Sequence, residues 1–279
     1  MLLVAIIVMG VLALVLGAAI GIFVKFFKVE SDPRVELVLE LLPGANCGGC
    51  GCAGCADFAK AVAGGLLPPS RCPVSSQEQV NAIAFALGVE AVSEGAKQAV
   101  VCCSGSNHYI KNSHYYNGVL DCAAANMIAG GPKGCGYGCL GMGTCARTCP
   151  FGAIEIINGL AVVHPEICVG CGKCVAACPR HIIRLVPAEA NIHVYCSSPE
   201  KGAVKRQVCS AGCIGCRKCE RNCPDKFMVD GALAHVRYDG PVPTEEDLEL
   251  IKCPTGALAN ETAHYNKEKD YARNPGGAA

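Results

Sequence analysis

A long apolar run opens the chain: Leu2–Val24 holds no charged residue in 23 positions. As a helix it would measure about 34 Å, enough to cross a bilayer with some tilt. Lys25 and Lys28 follow the run and no charged side chain precedes it, which disfavours a cleavable signal peptide. A buried core helix is the alternative, but such helices rarely extend this far without a polar side chain. The pattern predicts a membrane anchor whose following lysines and body lie in the cytoplasm.

Later apolar segments are short, and each follows a Cys-Pro pair. The pairs are Cys149-Pro150, Cys178-Pro179, Cys223-Pro224 and Cys253-Pro254. The first two are 29 residues apart and the last two are 30 residues apart, which marks an internal repeat. Each unit is predicted to contain a loop, a short helix and a short strand, and two units make one domain.

The cysteine content decides how this repeat is interpreted. The chain has 23 cysteines in 279 residues, no tryptophan and a formal net charge of zero. A zero net charge gives no basic surface for nucleic acid. So many thiols indicate either disulfides in an oxidising compartment or metal on the reducing side of a membrane. Because the anchor predicts a cytoplasmic body, metal is the favoured explanation.

The segment CVGCGKCVAACP has the spacing C-x2-C-x2-C-x3-C-P, which is typical of bacterial ferredoxins. Its first three thiolates are expected to hold one iron–sulfur cluster, while the fourth reaches a second cluster of the same domain. Zinc would instead favour two separated C-x2-C pairs. The expected ligands of the first of these clusters are Cys149, Cys168, Cys171 and Cys174.

The unit before this segment departs from the ferredoxin spacing. In the same register its loop carries Cys139, Met142 and Cys145, so the middle thiol is missing. A thioether is a poor ligand for a cluster iron, and Cys135 stands four residues upstream of Cys139. The expected cluster therefore uses Cys135, Cys139, Cys145 and Cys178. The alternative is that Cys135 is a spare thiol and that this cluster is incomplete.

The second ferredoxin run, CIGCRKCERNCP, is complete, but the unit after it is not. Ten, seven and four residues before Cys253 stand Pro243, Glu246 and Glu249 instead of three thiols. This domain is therefore predicted to hold one cluster, with the ligands Cys213, Cys216, Cys219 and Cys253. Cys223 is then left without a cluster to complete.

Four cysteines also crowd the stretch CGGCGCAGC, shortly after the anchor. A Cys-Pro pair follows them, so the expected ligands of a further iron–sulfur cluster are Cys47, Cys50, Cys55 and Cys72. Cys52 is left out, because a loop this short cannot direct both Cys50 and Cys52 at adjacent irons. A zinc site is the alternative, and disulfides are disfavoured on the cytoplasmic side.

These sets place sixteen cysteines in four 4Fe-4S clusters. The seven that remain are Cys52, Cys102, Cys103, Cys122, Cys196, Cys209 and Cys223. A buried free thiol is the default expectation for each of them. Cys196, Cys209 and Cys223 nevertheless stand near one ferredoxin-like domain, so one more cluster there, completed by a ligand other than cysteine, stays open.

The expected activity is electron transfer, because clusters held wholly by thiolates leave no iron open to a substrate. No nucleophile–base pair and no substrate-pocket motif stands in the sequence. A row of clusters beside a membrane anchor is expected to connect with a membrane partner. Two alternatives remain: an electron-transfer subunit of another membrane oxidoreductase, such as a quinone or hydrogenase system, and a non-catalytic iron–sulfur sensor or scaffold.

The order of these motifs resembles the B-subunit family of the Rnf complex. The resemblance rests on the N-terminal apolar helix, CGGCGCAGC with Cys72-Pro73, the tandem ferredoxin runs and the segment KGCGYGCLGMGTCARTCPFGAI. It implies a subunit of an ion-translocating ferredoxin:NAD oxidoreductase, with no catalytic centre of its own beyond electron transfer. It also implies soluble ferredoxin as the donor and other Rnf subunits in the membrane as partners.

The expected fold class is α+β, and the protein is expected in the inner (cytoplasmic) membrane with a single span. The predicted division is a transmembrane anchor (1–28), a small helical four-Cys 4Fe-4S domain (29–88), a linker (89–130), a two-cluster ferredoxin-like domain (131–188), a second, reduced ferredoxin-like domain (189–260) and a disordered tail (261–279).

Overall fold

The computed structural model describes residues 2–26, 32–91 and 95–273. Its first element is the helix α1 (Leu2–Phe26). Within it, Ile6–Phe23 has a mean hydropathy of 2.8 and no buried residue, so α1 is not the core helix of a soluble body. By length and composition this helix could span a membrane. Lys28, on which the expected orientation partly rests, lies outside the described residues.

A small helical unit follows α1. Its elements are α2 (Pro33–Leu41), α3 (Cys55–Ala63), a 3-10 turn (Pro69–Arg71) and α4 (Gln77–Leu87). Asp32 caps α2 by accepting a hydrogen bond from the Arg34 N–H (2.9 Å), and Ser76 forms a capping box with Gln79 at α4. The core packs the buried side chains of Val38, Phe58, Val62 and Ile83.

The next unit, here called the first repeat, extends from β1 to β4. Its elements are β1 (Lys97–Val101), α5 (Cys122–Met127), α6 (Thr144–Thr148), β2 (Ile154–Ile157), β3 (Leu160–Val163), α7 (Lys173–Ala177) and β4 (Ile183–Pro187). β1 pairs antiparallel with β4, and β2 with β3. Asn158 and Gly159, both at positive φ, form the two-residue turn between β2 and β3.

The second repeat has the same layout. Its elements are β5 (Ile192–Val194), α8 (Gly202–Val208), α9 (Lys218–Asn222), β6 (Phe227–Asp230), β7 (Leu233–Val236), α10 (Glu245–Ile251) and β8 (Leu258–Asn260). β5 pairs antiparallel with β8, and β6 with β7. A two-stranded ribbon is only marginally stable alone. Each repeat therefore depends on its shared core, which includes several of its own cysteines.

Two segments differ from the sequence expectation. The segment 89–130, expected to be a linker, supplies β1, which closes the first repeat against β4, and also α5. The expected disordered tail contains a helix, α11 (Glu261–Arg273). This helix is held on the second repeat because His264 stacks on Tyr195 at 3.7 Å and Glu261 lies 2.7 Å from His193. Residues 274–279 lie outside the described part of the chain.

Candidate metal centres

Four cavities of 320 to 400 Å³ are each lined by four cysteines. Site B is lined by Cys149, Cys168, Cys171 and Cys174, site C by Cys122, Cys139, Cys145 and Cys178, site D by Cys103, Cys135, Cys196 and Cys209, and site E by Cys213, Cys216, Cys219 and Cys253. The sets expected from the sequence line one cavity in sites B and E. Site C differs by one residue, and site D was not expected in this form.

Site B is built on the loop that leads into α7. Gly170 in this loop has a φ of +66°, and a Cβ added to it would collide with the carbonyl oxygen of Lys97 in β1. The loop can therefore lie against β1, where the Ala99 N–H donates to Cys168 Sγ (3.3 Å). Burial and the neighbouring thiols raise the pKa of Cys174 to about 12. The cavity is thus closely walled by the backbone of β1 and of this loop.

Cys122 reaches site C because it is the first residue of α5. Asp121 caps this helix by accepting a hydrogen bond from the Ala123 N–H (2.9 Å). Thr144, at the start of α6, accepts a hydrogen bond from the Cys122 N–H (2.7 Å) and donates one to Asp121 (2.9 Å). The two helix starts are thereby tied together, which brings Cys122 to the cavity that Cys145 also lines.

Cys135 does not lie in site C, contrary to the set expected from the sequence. The Tyr137 N–H lies near the Cys135 thiol within a tight turn and lowers its pKa, and Arg180 donates to the Cys135 carbonyl oxygen at 3.1 Å. This turn directs the thiol into site D. The correction is that Cys122, and not Cys135, joins Cys139, Cys145 and Cys178.

Site E lies between α9 and the segment that follows α10. Cys213 and Cys219 are buried, whereas Cys216 is exposed. Cys253 comes two residues after the end of α10 and lines the same cavity. Burial, together with the thiols of Cys213 and Cys216, raises the pKa of Cys219 to about 11. Site E therefore has buried thiols and one thiol at the protein surface.

Cys223 belongs to neither site D nor site E. Its thiol donates to Asp247 at 3.4 Å, and the Lys226 ammonium lies 2.6 Å from the same carboxylate. Burial raises the pKa of Asp247, but the bonds from Lys226 and Thr244 outweigh it and hold the pKa at about 2. The segment before Cys253, where three expected thiols are missing, thus contains the helix α10, and its Asp247 forms an ion pair with Lys226.

We use the name site A for the expected set Cys47, Cys50, Cys55 and Cys72. Cys72 is buried in the core of the helical unit, and Cys50, Cys52 and Cys55 pack against that core. The Asn46 side chain accepts a hydrogen bond from the Cys55 N–H (2.8 Å), which fixes the start of α3. Since Cys52 also adjoins Cys50, the choice of Cys50 over Cys52 stays a prediction.

Site A lies against site B. A Cβ added to Gly49 would lie 3.0 Å from the carbonyl oxygen of Cys171, so the two loops are in close approach. Burial raises the pKa of the Cys171 thiol, and the Cys47 thiol is among the neighbours that raise it further. The loop of site A that contains Gly49 and the loop of site B that contains Cys171 are therefore in close backbone contact.

The donor set fits iron–sulfur clusters. In sites C and E a backbone N–H near the thiol two residues earlier lowers its pKa, Gly141 acting on Cys139 and Gly215 on Cys213, because an N–H directed at sulfur favours the thiolate. Burial opposes the charge, so these thiols stay protonated until a metal takes up the sulfur charge. Within the described ranges, no three His, Cys, Asp or Glu side chains converge on a single metal ion. The thiols instead surround room for a larger group.

The chain is similar to known B subunits along most of its length. It is 41% identical, over 95% of this chain and 79% of the relative, to the B subunit of the Na⁺-translocating ferredoxin:NAD⁺ oxidoreductase complex of Acetobacterium woodii. It is 40% identical, over 90% of both chains, to the B subunit of the proton-translocating ferredoxin:NAD⁺ oxidoreductase complex of Clostridium ljungdahlii. The chain belongs to the B-subunit family of the ion-translocating oxidoreductase (Rnf) complexes. An archaeal member, the B subunit of the ion-translocating oxidoreductase complex of Methanosarcina acetivorans, is 41% identical over 75% of this chain and 81% of the relative.

Family models also match the cysteine-rich parts of this Rnf B-family chain. An Fe-S cluster model matches residues 42–74, and models of a 4Fe-4S dicluster domain match residues 133–179 and 167–227. These matches cover the regions of site A and of the ferredoxin runs. The protein is thus an iron–sulfur electron-transfer subunit of an Rnf oxidoreductase complex, and it carries 4Fe-4S clusters.

Sequence reasoning missed two site-lining thiols, Cys122 and Cys103. A signal for Cys122 was present, because Asp121 is a good helix cap and places a cysteine at a helix start. Cys103 gives no comparable local signal. It follows β1 by two residues, and only the pairing of β1 with β4 brings it to a cavity.

Proposed function

We propose that this protein accepts electrons from soluble ferredoxin on the cytoplasmic face and passes them to membrane partners of its complex. In this proposal four clusters occupy sites A, B, C and E, and when bound they supply the one-electron chemistry. The chain holds them, excludes water from them and directs N–H groups at their thiolates. The observation that carries the proposal is the close approach of site A to site B, which connects the helical unit beside the anchor to the first repeat.

Site E is the proposed entry for electrons. Cys216 is the one exposed cysteine of the 23, all of which lie in the described ranges. Arg217 and Lys218 line the same cavity, and Arg217 is offset in part by Glu220 at 3.6 Å. Positive charge beside an exposed ligand favours encounter with an acidic electron carrier such as a ferredoxin.

Site A is the proposed exit toward the membrane. Six residues separate the end of α1 at Phe26 from the start of α2 at Pro33. Phe26 and Pro33 are seven residue steps apart and a chain extends by at most about 3.6 Å per residue, so the start of the helical unit lies within roughly 25 Å of the end of α1. A partner in the membrane can therefore reach site A more readily than it can reach the second repeat.

The proposed domain order follows the same logic. The anchor is followed by a helical cluster domain and by two ferredoxin-like repeats, 97–187 and 192–260. The first repeat would hold two of the four clusters and the second repeat one. This arrangement supports transfer from the second repeat, through the first, to the helical unit.

The donor assignment can be tested by stopped-flow reduction of the full-length chain, purified without oxygen, with reduced ferredoxin. Arg217→Glu with Lys218→Glu should slow reduction about tenfold at low salt and flatten its salt dependence. Lys201→Glu with Arg206→Glu, the same charge change on the exposed face of α8, is the matched control and should leave the rate near wild type. Equal slowing by both pairs, or no reduction of the wild type, would contradict the proposal.

Sidedness needs a separate measurement. A protease site placed after residue 273 should be cut in inverted membrane vesicles and protected in right-side-out spheroplasts. Cleavage from outside intact spheroplasts would place the body on the opposite face.

A further inference from the structure

Site D draws one matched pair of thiols from each repeat. Cys103 and Cys196 each stand two residues beyond the end of the first strand of their repeat, β1 and β5. Cys135 and Cys209 each stand four residues before the first thiol of the following cluster loop. All four line one cavity of 390 Å³. The cavity therefore lies between the two repeats and follows their internal symmetry.

Two buried lysines, Lys133 and Lys205, follow the same internal symmetry, one in each repeat. Lys133 donates to the carbonyl oxygens of Gly105 (2.7 Å) and Gly159 (2.5 Å). Lys205 makes the equivalent bonds in the second repeat, to Ser198 (2.9 Å) and Ala232 (2.8 Å). In each repeat one acceptor lies two residues after the strand-end cysteine and the other lies in the hairpin turn. Buried ammonium groups need compensating negative charge. Among the described residues no carboxylate lies within salt-bridge distance of Lys205, whereas the charge of Lys133 acts on the buried carboxylate of Glu268 without a direct ion pair.

The site D thiols carry the backbone donors that mark the recognised sites. Cys103 Sγ accepts hydrogen bonds from the Gly105 N–H (3.2 Å) and the Cys139 N–H (3.3 Å). The Ala211 N–H, two residues after Cys209, lies near that thiol and lowers its pKa, although burial has the larger, opposite effect. N–H donation to sulfur stabilises thiolate, which a free buried thiol does not require.

The cavity also keeps space between the thiols. A Cβ added to Gly138 would lie 3.5 Å from Cys103 Sγ and 3.6 Å from Cys135 Sγ, so the missing side chain leaves the region between them open. Ser104 lines the cavity and is buried, and its hydroxyl has no hydrogen-bond partner. A buried hydroxyl without a partner is costly unless a bound group satisfies it.

We infer that site D holds a fifth 4Fe-4S cluster, ligated by Cys103, Cys135, Cys196 and Cys209 across the boundary of the two repeats. A four-thiolate cluster is anionic, so it would compensate the buried charge of Lys205, which lines the same cavity. The site also adjoins its neighbours: Cys103 bonds the backbone of a site C ligand, and Cys196 is among the charges felt by Cys213 of site E. Where the proposed function holds, site D joins the second repeat to the first.

The inference is tested by counting metal in the full-length chain, purified without oxygen. Five clusters predict about twenty iron and twenty sulfide per chain, whereas four predict about sixteen. Cys135→Ala and Cys209→Ala should each lower the iron content by about four and remove the same component of the EPR spectrum. Cys102→Ala is the matched control, since Cys102 is buried directly beside Cys103 yet does not line the cavity.

Several results would overturn the inference. A wild-type chain with about sixteen iron, with or without one zinc, leaves no fifth cluster. Equal iron loss from Cys209→Ala and Cys102→Ala would show a general loss of structure. In that case the iron content of the wild-type chain decides between five clusters and four. The count does not depend on ferredoxin or on membrane partners, so a failed donor assay and a missing fifth cluster are distinguishable.

Discussion

The two repeats share one layout of strands and helices but differ at one place: the first repeat has the thiol-lined cavity of site B there, and the second repeat does not. In the first repeat, Cys149 lines a cavity with three thiols of the following loop. In the second, the equivalent Cys223 donates to Asp247, which pairs with Lys226 at 2.6 Å. The same scaffold therefore persists whether this place is lined by thiols or filled by protein, because the ribbons and their cores do not change.

In the second repeat the capped helix α10 takes the place of the cysteine-rich loop. Thr244 and Asp247 form a capping box that starts α10, and Ile251 at its end is buried in the core of the repeat. The first repeat has an irregular loop at this point, held by close backbone approach at Gly170. The difference shows that a loop shaped around a cofactor can be exchanged for a capped helix that satisfies its own backbone groups.

The largest expected effect separates the two equivalent cysteines. Cys149→Ala should remove about four iron per chain, because it deletes one of the four thiols of site B. Cys223→Ala, the matched change in the second repeat, should leave iron and sulfide unchanged. Iron analysis and EPR of both variants measure this. Iron loss from Cys223→Ala would mean that the second repeat retains a cluster at this place.

A second test concerns the middle ligand of the first repeat, where Met142 stands in the position of Cys216. Cys122→Ala should cost about four iron, since Cys122 lines site C in place of the missing thiol. Adding Met142→Cys should restore the ordinary ferredoxin spacing and recover that iron. If Cys122→Ala alone retains all of its iron, a thiol other than Cys122 completes site C.

A smaller effect is expected at the ion pair of the second repeat. Asp247→Asn should lower the free energy of unfolding by about 1–3 kcal/mol, between the values typical of exposed and buried pairs. The pKa of Asp247 is held at about 2, below its ordinary value of 3.8, so its contribution is complete above pH 4 and is lost only as the pH falls toward 2. Urea unfolding should therefore give the same wild-type-to-variant difference from pH 5 to pH 8. A difference that shrinks within that range would contradict the assigned pairing.

The smallest effect is expected at the hydrogen bond that positions Cys122. Thr144→Val removes the acceptor of the Cys122 N–H and should cost about 1 kcal/mol and speed the loss of site C iron to a chelator. Thr148→Val is the matched control, because the Thr148 hydroxyl bonds only a carbonyl of its own helix (2.8 Å). Equal rates of iron release from both variants would remove the positioning role of Thr144.

Much of the candidate chemistry was predictable where ligands are neighbours in the sequence. Cys168, Cys171 and Cys174 lie on one loop and the first turn of α7, so their spacing alone limits which thiols can surround a common group. The absent triplet before Cys253 is equally visible in the sequence. The expected place of Cys135 is wrong because nearness to Cys139 along the chain does not bring the two thiols into one cavity. A local turn directs the Cys135 thiol into site D instead.

The sequence by itself determined the long apolar helix and the short cysteine-rich loops, because each depends on residues only a few positions apart. Tertiary structure alone decided the partners of Cys103, Cys122 and Cys196. The pairing of β1 with β4 and of β5 with β8 carries two of these thiols to site D, and the Asp121–Thr144 contact carries the third to site C. These contacts join segments far apart in sequence, so no local spacing records them.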